Sequence, residues 1–277
     1  MRRRAPAASI ATLRDFAGSR ATMTGESFWR QAVDAASRRY PAADRHARRF
    51  ARAKLSHDRI FRHIFQQGLV PAGARVLDVG CGQGLFACVL HALQQAAQRG
   101  EWPAGWAAPP SGARVLGIDP LPHDVERARA ALGPEATFTC ADMRRFAFPP
   151  SDVVLFLDTL HYIVPVDPIA VLAAARQAWR PGGSLLLRVH DASQPLRYAF
   201  GLWADRMTML LHGGGFGRLD GCTPAGWRER LQALGLEVQT LPMNGRAPFR
   251  NLLLVARLPA LGTARVTAGP EIPPRAG

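Results

Sequence analysis

The sequence contains very little lysine. Lys54 is the single lysine among 35 lysines and arginines, so arginine carries nearly all of the positive charge. With abundant alanine, glycine and proline, this bias is typical of a GC-rich genome, which adds charge without selecting a binding partner. The formal net charge of +14 therefore does not by itself predict a protein that binds nucleic acid.

The sequence also lacks long apolar runs and closely spaced cysteines. No run reaches the roughly 20 apolar residues that a membrane-spanning helix needs, and the basic N-terminus lacks the apolar stretch of a secretory signal. We therefore expect a cytoplasmic protein, with peripheral membrane contact left open. The cysteines form no C-x-x-C pair and, with the histidines, no zinc-type spacing, so we expect reduced, mostly buried thiols and no metal site. The four cysteines are Cys81, Cys88, Cys140 and Cys222.

The N-terminal part of the chain divides into two segments. Residues 1–39 are rich in alanine, arginine and serine with weak periodicity, so we expect disorder, with at most a short helix over Ser27–Ser37. Met23 is an alternative initiation site, and the sequence leaves open whether the residues before it are translated. Residues 40–68 place apolar side chains at near-helical spacing between basic ones, which predicts one or two amphipathic leading helices.

A glycine-rich motif follows the first predicted strand. The apolar run at 76–79 contains Asp78 and ends in Gly80, Gly82 and Gly84, after which helix formers continue without proline. Such a strand, turn and helix present backbone N–H groups to a ligand. The acid-x-G-x-G-x-G spacing differs from the G-x-G-x-x-G of dinucleotide sites, and the carboxylate suits a cationic or hydroxyl-bearing ligand. An ordinary tight turn is the alternative interpretation of the motif alone.

Acidic residues also follow the next predicted strands. Asp119 ends the second strand, where a carboxylate can accept hydrogen bonds from ribose hydroxyls. Asp142 follows a short third strand and could instead cap a helix over residues 143–146. The apolar fourth strand, 152–158, runs into Thr159-Leu160-His161-Tyr162, and a turn at 180–184 precedes the fifth strand.

Taken together, these motifs over roughly residues 69–257 resemble class I S-adenosylmethionine (SAM)-dependent methyltransferases. The resemblance implies an α/β fold of one domain: a Rossmann-like, doubly wound, seven-stranded and mostly parallel sheet whose last strand is antiparallel. It places this domain at residues 69–258, with a substrate lid inserted after strand five at 191–222, and leaves 259–277 as a disordered, proline-rich tail.

The resemblance also implies the residues that hold SAM. Asp78 and the glycine loop would bind the methionine part, Asp119 the ribose hydroxyls and Asp142 the adenine amino group. The implied cofactor contacts are Asp78, Gly80, Cys81, Gly82, Gly84, Asp119, Pro120, Leu121, Asp142, Met143 and Asp158.

Candidates for catalysis and acceptor binding lie after strands four and five. A general base is needed only if the acceptor atom starts protonated. The candidates are His161 and the adjacent pair His190 and Asp191, although a packing or cofactor contact is equally open for His161. The resemblance assigns acceptor contacts to Tyr162 and to two apolar residues of the lid, Trp203 and Met207.

The acceptor class is narrowed by what strand four lacks. Neither the Asn/Asp-Pro-Pro-aromatic motif of amino-group nucleic-acid methyltransferases nor a Pro-Cys nucleophile follows it. We therefore expect a small-molecule, lipid-like or carrier-bound aromatic or polyketide acceptor in bacterial secondary metabolism. Residues 50–55 and 76–85 are similar to methyltransferases of aryl-polyene and xanthomonadin-type pathways, and the basic leading helix would suit an acidic acyl carrier protein. An rRNA or tRNA methyltransferase, a non-catalytic SAM-binding protein and a NAD-dependent enzyme remain alternatives.

Overall fold

A computed structural model describes most of the chain between residues 24 and 259. Several predicted features lie outside the described residues: the first 23 positions, most of the expected lid and nearly all of the expected tail. The described ranges are 24–160, 168–190, 222–243 and 251–259.

Seven strands form one sheet in the order β3-β2-β1-β4-β5-β7-β6. Strands β1 to β5 run parallel to one another, whereas β7 is antiparallel to both β5 and β6. This confirms the predicted mostly parallel sheet with an antiparallel last strand. The strands are β1 Arg75–Val79, β2 Arg114–Asp119, β3 Thr137–Cys140, β4 Ser151–Leu157, β5 Trp179–His190, β6 Glu237–Pro242 and β7 Asn251–Arg257.

Helices cover both faces of the sheet, which makes the fold doubly wound. One apolar core joins β1 residue Val76 and β4 residue Val153 to α1 through α5, and the other joins their neighbours Leu77 and Val154 to α6 and α7. Strand neighbours alternate between the two cores because successive side chains point to opposite faces. The helices are α1 Gly25–Arg38, α2 Arg45–His57, α3 Arg59–Gln66, α4 Leu85–Gln98, α5 Pro122–Leu132, α6 Pro168–Gln177 and α7 Pro224–Ala233.

The short helix allowed over Ser27–Ser37 is present as α1 Gly25–Arg38, and the disorder expected for residues 1–39 is wrong for these residues. Thr24 caps this helix by accepting a hydrogen bond from the Ser27 backbone N–H at 3.3 Å. Phe28 is buried and packs edge-to-face against Trp102 and Trp106, with ring centroids 5.5 and 5.3 Å away. The buried side chains of α1 repeat every three to four residues, as in an amphipathic helix. Its aromatic partners Trp102 and Trp106 lie in a loop much later in the chain, so no pattern within α1 predicts these contacts.

The predicted turn at 180–184 is also corrected. Strand β5 begins at Trp179, and the expected turn is an irregularity inside it, where the register with β4 shifts between Ser151 and Val153. Gly182 adopts φ 78° there. Five steps along β5, from Trp179 to Ser184, lie opposite two steps along β4. Extra residues in one strand of a pair bend that strand without ending it, so the glycines mark an irregular bulge.

Candidate cofactor and acceptor site

The glycine loop between β1 and α4 uses three glycines at positive φ, for different reasons. A Cβ on Gly80 would lie 2.1 Å from Thr159 Cγ2, and one on Gly84 would lie 2.9 Å from Ala128 Cβ. A Cβ on Gly82 would meet nothing within 4 Å. Gly80 and Gly84 therefore permit close packing of the loop, whereas the backbone at Gly82 borders open space that a ligand can fill.

Asp119, at the end of β2, holds the loop in this conformation. Its two carboxylate oxygens accept hydrogen bonds from the backbone N–H groups of Gly82 and Leu121, each at 2.9 Å. Burial raises the pKa of Asp119, and these two hydrogen bonds partly oppose that shift. Each oxygen retains a further lone pair, so the predicted ribose contact is chemically available at this position.

Asp78 lies on β1 immediately behind the loop and is only 4% exposed. Burial, and secondly the negative charge of Asp119, raises its pKa to about 7. The neighbouring Cys81 is also buried, and burial raises the pKa of its thiol well above the usual range. The site thus contains one carboxyl group that can gain or lose a proton near neutral pH.

The leading helices contact the loop directly, a feature that sequence reasoning missed. The Tyr40 hydroxyl donates to the Gln83 backbone carbonyl at 2.8 Å, and the Gln83 side-chain amide donates to the Ala47 carbonyl at 3.0 Å. Asp44, which caps α2, forms an ion pair with Arg127 of α5 at 2.9 Å. Gln83 occupies a variable position of the glycine motif, so no spacing signal points to it.

The residues around the loop fit SAM. Thr159 carries a buried hydroxyl that has no hydrogen-bond partner among the described residues, and its methyl group packs against Gly80. Two carboxyl groups, Asp78 on β1 and Asp119 at the end of β2, lie beside the loop that carries the open space at Gly82. Ammonium and hydroxyl groups, which SAM provides, are the groups that such acceptors bind.

Asp142 makes local contacts in the structure. Its Oδ1 accepts from the Arg144 backbone N–H at 2.9 Å, and its carboxylate also pairs with the Arg144 guanidinium, whose hydrogen bond lowers the pKa of Asp142. Its backbone carbonyl accepts from Arg145 and Phe146, both at 3.0 Å. This is the turn-capping alternative, although residues 143–146 form no helix. The adenine contacts of Asp142 and Met143 stay predictions; Met143 itself is buried in the second core.

A cluster of four charged side chains lies at the carboxyl ends of β4 and β5, and we call it the charged cluster. Lys54 Nζ is 3.1 Å from Asp58 Oδ2 and 3.3 Å from Asp158 Oδ2. Arg188 Nε is 3.0 Å from Asp158 Oδ1, and Arg188 also pairs with Asp58. Both oxygens of Asp158 therefore face cations of this chain, and its predicted cofactor contact stays a prediction.

The remaining site predictions lie where the structure gives no side chain. His190 ends β5 and its backbone pairs with Asn251, but its side chain is outside the described part. The catalytic and acceptor-binding roles predicted for this set stay predictions. The others outside the described residues are His161, Tyr162, Asp191, Trp203 and Met207.

A cavity of about 540 Å³ opens at the opposite edge of the sheet, near the amino ends of β1, β4 and β5. Asp152, Arg180 and Arg257 contribute its charged lining. Because the glycine loop follows the carboxyl end of β1, this cavity is not part of the cofactor site.

The fold and loop define the class of protein. A family model described as a methyltransferase domain matches residues 36–241, and the chain belongs to this family. It is a class I SAM-dependent methyltransferase, and SAM is its methyl donor. In the part of the chain that the structure describes, no helix has the length and apolar character needed to cross a membrane.

The chain is also similar to individual known proteins, at identities of 18–28%. The ubiquinone biosynthesis O-methyltransferase of Xanthomonas axonopodis pv. citri is 28% identical over 190 residues, which cover 66% of this chain and 71% of that protein. Among solved structures, magnesium protoporphyrin IX methyltransferase from Synechocystis PCC 6803, with bound S-adenosylhomocysteine, is 18% identical with a TM-score of 0.52, covering 86% of this chain and 96% of that one. A SAM-dependent methyltransferase from Mesorhizobium loti is also 18% identical, with a TM-score of 0.51 and coverage of 71% and 95%.

Proposed function

We propose that this enzyme methylates a small-molecule, lipid-like or carrier-bound aromatic or polyketide acceptor in bacterial secondary metabolism. The main support is the sequence at the end of β4, where Asp158-Thr159-Leu160 stands in place of the motifs with which nucleic-acid methyltransferases bind a base. The Asp158 carboxylate is also paired with two cations of this chain. Similarity to a protein named for O-methylation in ubiquinone biosynthesis supports a small acceptor and an oxygen nucleophile.

In this proposal, different residues of the chain bind SAM and accept a proton from the acceptor. SAM, when bound, supplies a methyl group on a sulfonium. Asp78, Asp119 and the glycine loop would bind and orient it, and much of the rate would come from holding the acceptor in line with the methyl group. A hydroxyl acceptor starts protonated, so His161, or His190 with Asp191, would accept that proton as a general base.

Helix α2 supports presentation of the acceptor by an acidic acyl carrier protein. It carries five cationic residues and no acidic one. Arg45 and Arg49 are exposed. Neither they nor Arg48 form an ion pair with a described residue. Asp34 and Asp44, the nearest acids, are engaged by other arginines. A basic helix surface of this kind attracts an acidic partner over roughly 10 Å at moderate ionic strength.

The test is incubation with methyl-labelled SAM and a fractionated extract of the native host. We expect label in the small-molecule, lipid or acyl-carrier fraction, and none with Asp119→Ala, which removes the carboxylate that orders the loop. Label in ribosomal or transfer RNA would instead support the nucleic-acid alternative and overturn the proposed acceptor class. Binding of S-adenosylhomocysteine without transfer to any fraction would support the non-catalytic alternative.

The carrier interaction is tested by the charge reversals Arg45→Glu and Arg49→Glu. We expect each to weaken binding of an acidic acyl carrier protein and to reduce its salt dependence. Arg228→Glu on α7, exposed on the other face of the sheet, is the matched control. Equal loss in the control, or binding to anionic vesicles and not to the carrier protein, would contradict this part of the proposal.

A further inference from the structure

The charged cluster joins the leading helices to the centre of the sheet. Lys54 lies on α2 and Asp58 between α2 and α3, whereas Asp158 follows β4 and Arg188 lies on β5. The side chains of Arg188 and Asp58 are 7% and 11% exposed, and those of Asp158 and Lys54 are 25% and 35% exposed. Two cations and two carboxylates thus meet, mostly shielded from water, beside the carboxyl ends of β4 and β5.

Stability alone does not account for this arrangement. Removing charges from water is unfavourable, and apolar side chains of similar volume often replace a buried ion pair without loss of stability. What paired charges provide, and apolar packing does not, is a defined geometry between the groups.

Asp158 fixes the exit of β4. Among the described residues it is the one non-glycine residue at positive φ, 62°, a conformation that persists only when the surroundings hold it. Lys54 and Arg188 hold the two carboxylate oxygens from opposite sides. The next residue, Thr159, packs against Gly80 of the glycine loop, so Asp158 lies one residue from the contact between β4 and that loop.

Asp58 fixes the elbow between α2 and α3. Its Oδ1 accepts from the Ile60 backbone N–H at 3.2 Å and so caps α3, whereas its Oδ2 pairs with Lys54 and Arg188. The same cations therefore hold both the elbow and the strand exit. Burial would lower the pKa of Lys54, but the carboxylates of Asp158 and Asp58 outweigh burial and raise it, so the ammonium stays charged.

We propose that Lys54 is a positioning residue for methyl transfer, which closes the α2–α3 elbow onto the exit of β4 by bridging Asp58 and Asp158. Lys54 is the shared link because its one ammonium contacts a carboxylate from each side. This inference rests on the methyltransferase activity. It extends the proposed function by naming the contacts that hold the acceptor side of the site together.

Hydrogen exchange on the complex with S-adenosylhomocysteine tests this directly, with Lys54→Met as the variant. We expect amides of α3 and of residues 156–160 to exchange about tenfold faster, with β2 and α4 unchanged. The affinity for S-adenosylhomocysteine should stay within about threefold, because Lys54 does not contact the glycine loop. Lys54→Arg, which retains the charge, should restore slow exchange. Arg52→Met on the same helix, which removes an exposed ion pair with Asp34, is the matched control.

Each outcome of the exchange experiment either supports or overturns the positioning role of Lys54. Faster exchange confined to the two segments and rescued by arginine would support the positioning role. Unchanged exchange, a uniform increase across the protein, or an equal effect of Arg52→Met would overturn it. If Lys54→Met does not fold, Asp158→Asn gives the same test, since it keeps the side-chain shape and removes one carboxylate from the bridge. The probe is S-adenosylhomocysteine alone, so a wrong acceptor class leaves this result readable.

Discussion

Replacing Asp78 by asparagine tests whether the site contains a carboxyl group that titrates near neutral pH. The ordinary pKa of the group is 3.8, and burial with the nearby Asp119 raises it to about 7. Because the folded state binds this proton more tightly than the unfolded state, its contribution to stability is complete below about pH 4. It declines as the pH rises to 7, by about 4 kcal/mol in total.

The magnitude over a practical range follows from the same two pKa values. Between pH 5 and pH 8 the wild-type protein should lose about 2–3 kcal/mol of unfolding free energy through this one group. Asp78→Asn does not titrate, so it should gain about that much stability relative to wild type over the range. Urea unfolding of both proteins at the two pH values measures it, and the titration of all other groups cancels in the comparison.

Cofactor binding provides the complementary measurement. If Asp78 faces the ammonium of SAM, it must be ionised, so wild-type affinity for S-adenosylhomocysteine should rise about tenfold from pH 6 to pH 8. The asparagine variant should bind weakly and without this pH dependence. A stability difference between variant and wild type that is the same at pH 5 and pH 8 would refute the reasoning, because the carboxyl would then have an ordinary pKa.

Four further substitutions test the glycine loop, its contact with Tyr40 and the packing of α1. Gly82→Ala should keep the fold but weaken binding of S-adenosylhomocysteine at least tenfold, as measured by calorimetry, because its Cβ enters the open space beside the loop. Gly80→Ala should instead lower the thermal stability, because a Cβ on Gly80 collides with Thr159. Tyr40→Phe should reduce the unfolding free energy in urea by about 1 kcal/mol, because the Gln83 carbonyl loses its donor; no change would show that water replaces the hydroxyl. Phe28→Ala should cost about 3–5 kcal/mol, and limited proteolysis should then cut within α1; resistance to cleavage would contradict its packing against the inserted loop.

Local patterns predicted the parts of the site that lie within one strand–turn–helix unit. The glycine spacing after Val79 and the acid at the end of β2 are readable because each depends on neighbours a few residues away. The structure then brings Asp119 to the Gly82 N–H, since β1 and β2 are adjacent and parallel. The mostly parallel sheet and its antiparallel last strand followed from the family resemblance, whereas the order of the strands is known only from the structure.

Contacts between distant segments could not be predicted in this way. Tyr40 is 43 positions from Gln83, and Lys54 is 104 positions from Asp158. Composition suggested disorder near α1, because its buried face combines small residues with aromatic ones whose partners lie in the inserted loop. No periodicity within a segment carries information about a side chain that arrives from another part of the chain.

The sequence by itself, through its resemblance to class I methyltransferases, predicted the class of fold, the cofactor and the loop expected to bind it, because the motifs that carry the resemblance depend on short-range spacing. Only the tertiary structure decided that Asp78 is a carboxyl with a pKa near neutrality, since that requires knowing how deeply it is buried and how close Asp119 lies. It also decided that the single lysine bridges two carboxylates, Asp58 between α2 and α3 and Asp158 at the end of β4. Burial and charge pairing are properties of the packed chain, and they exist only once distant segments have met.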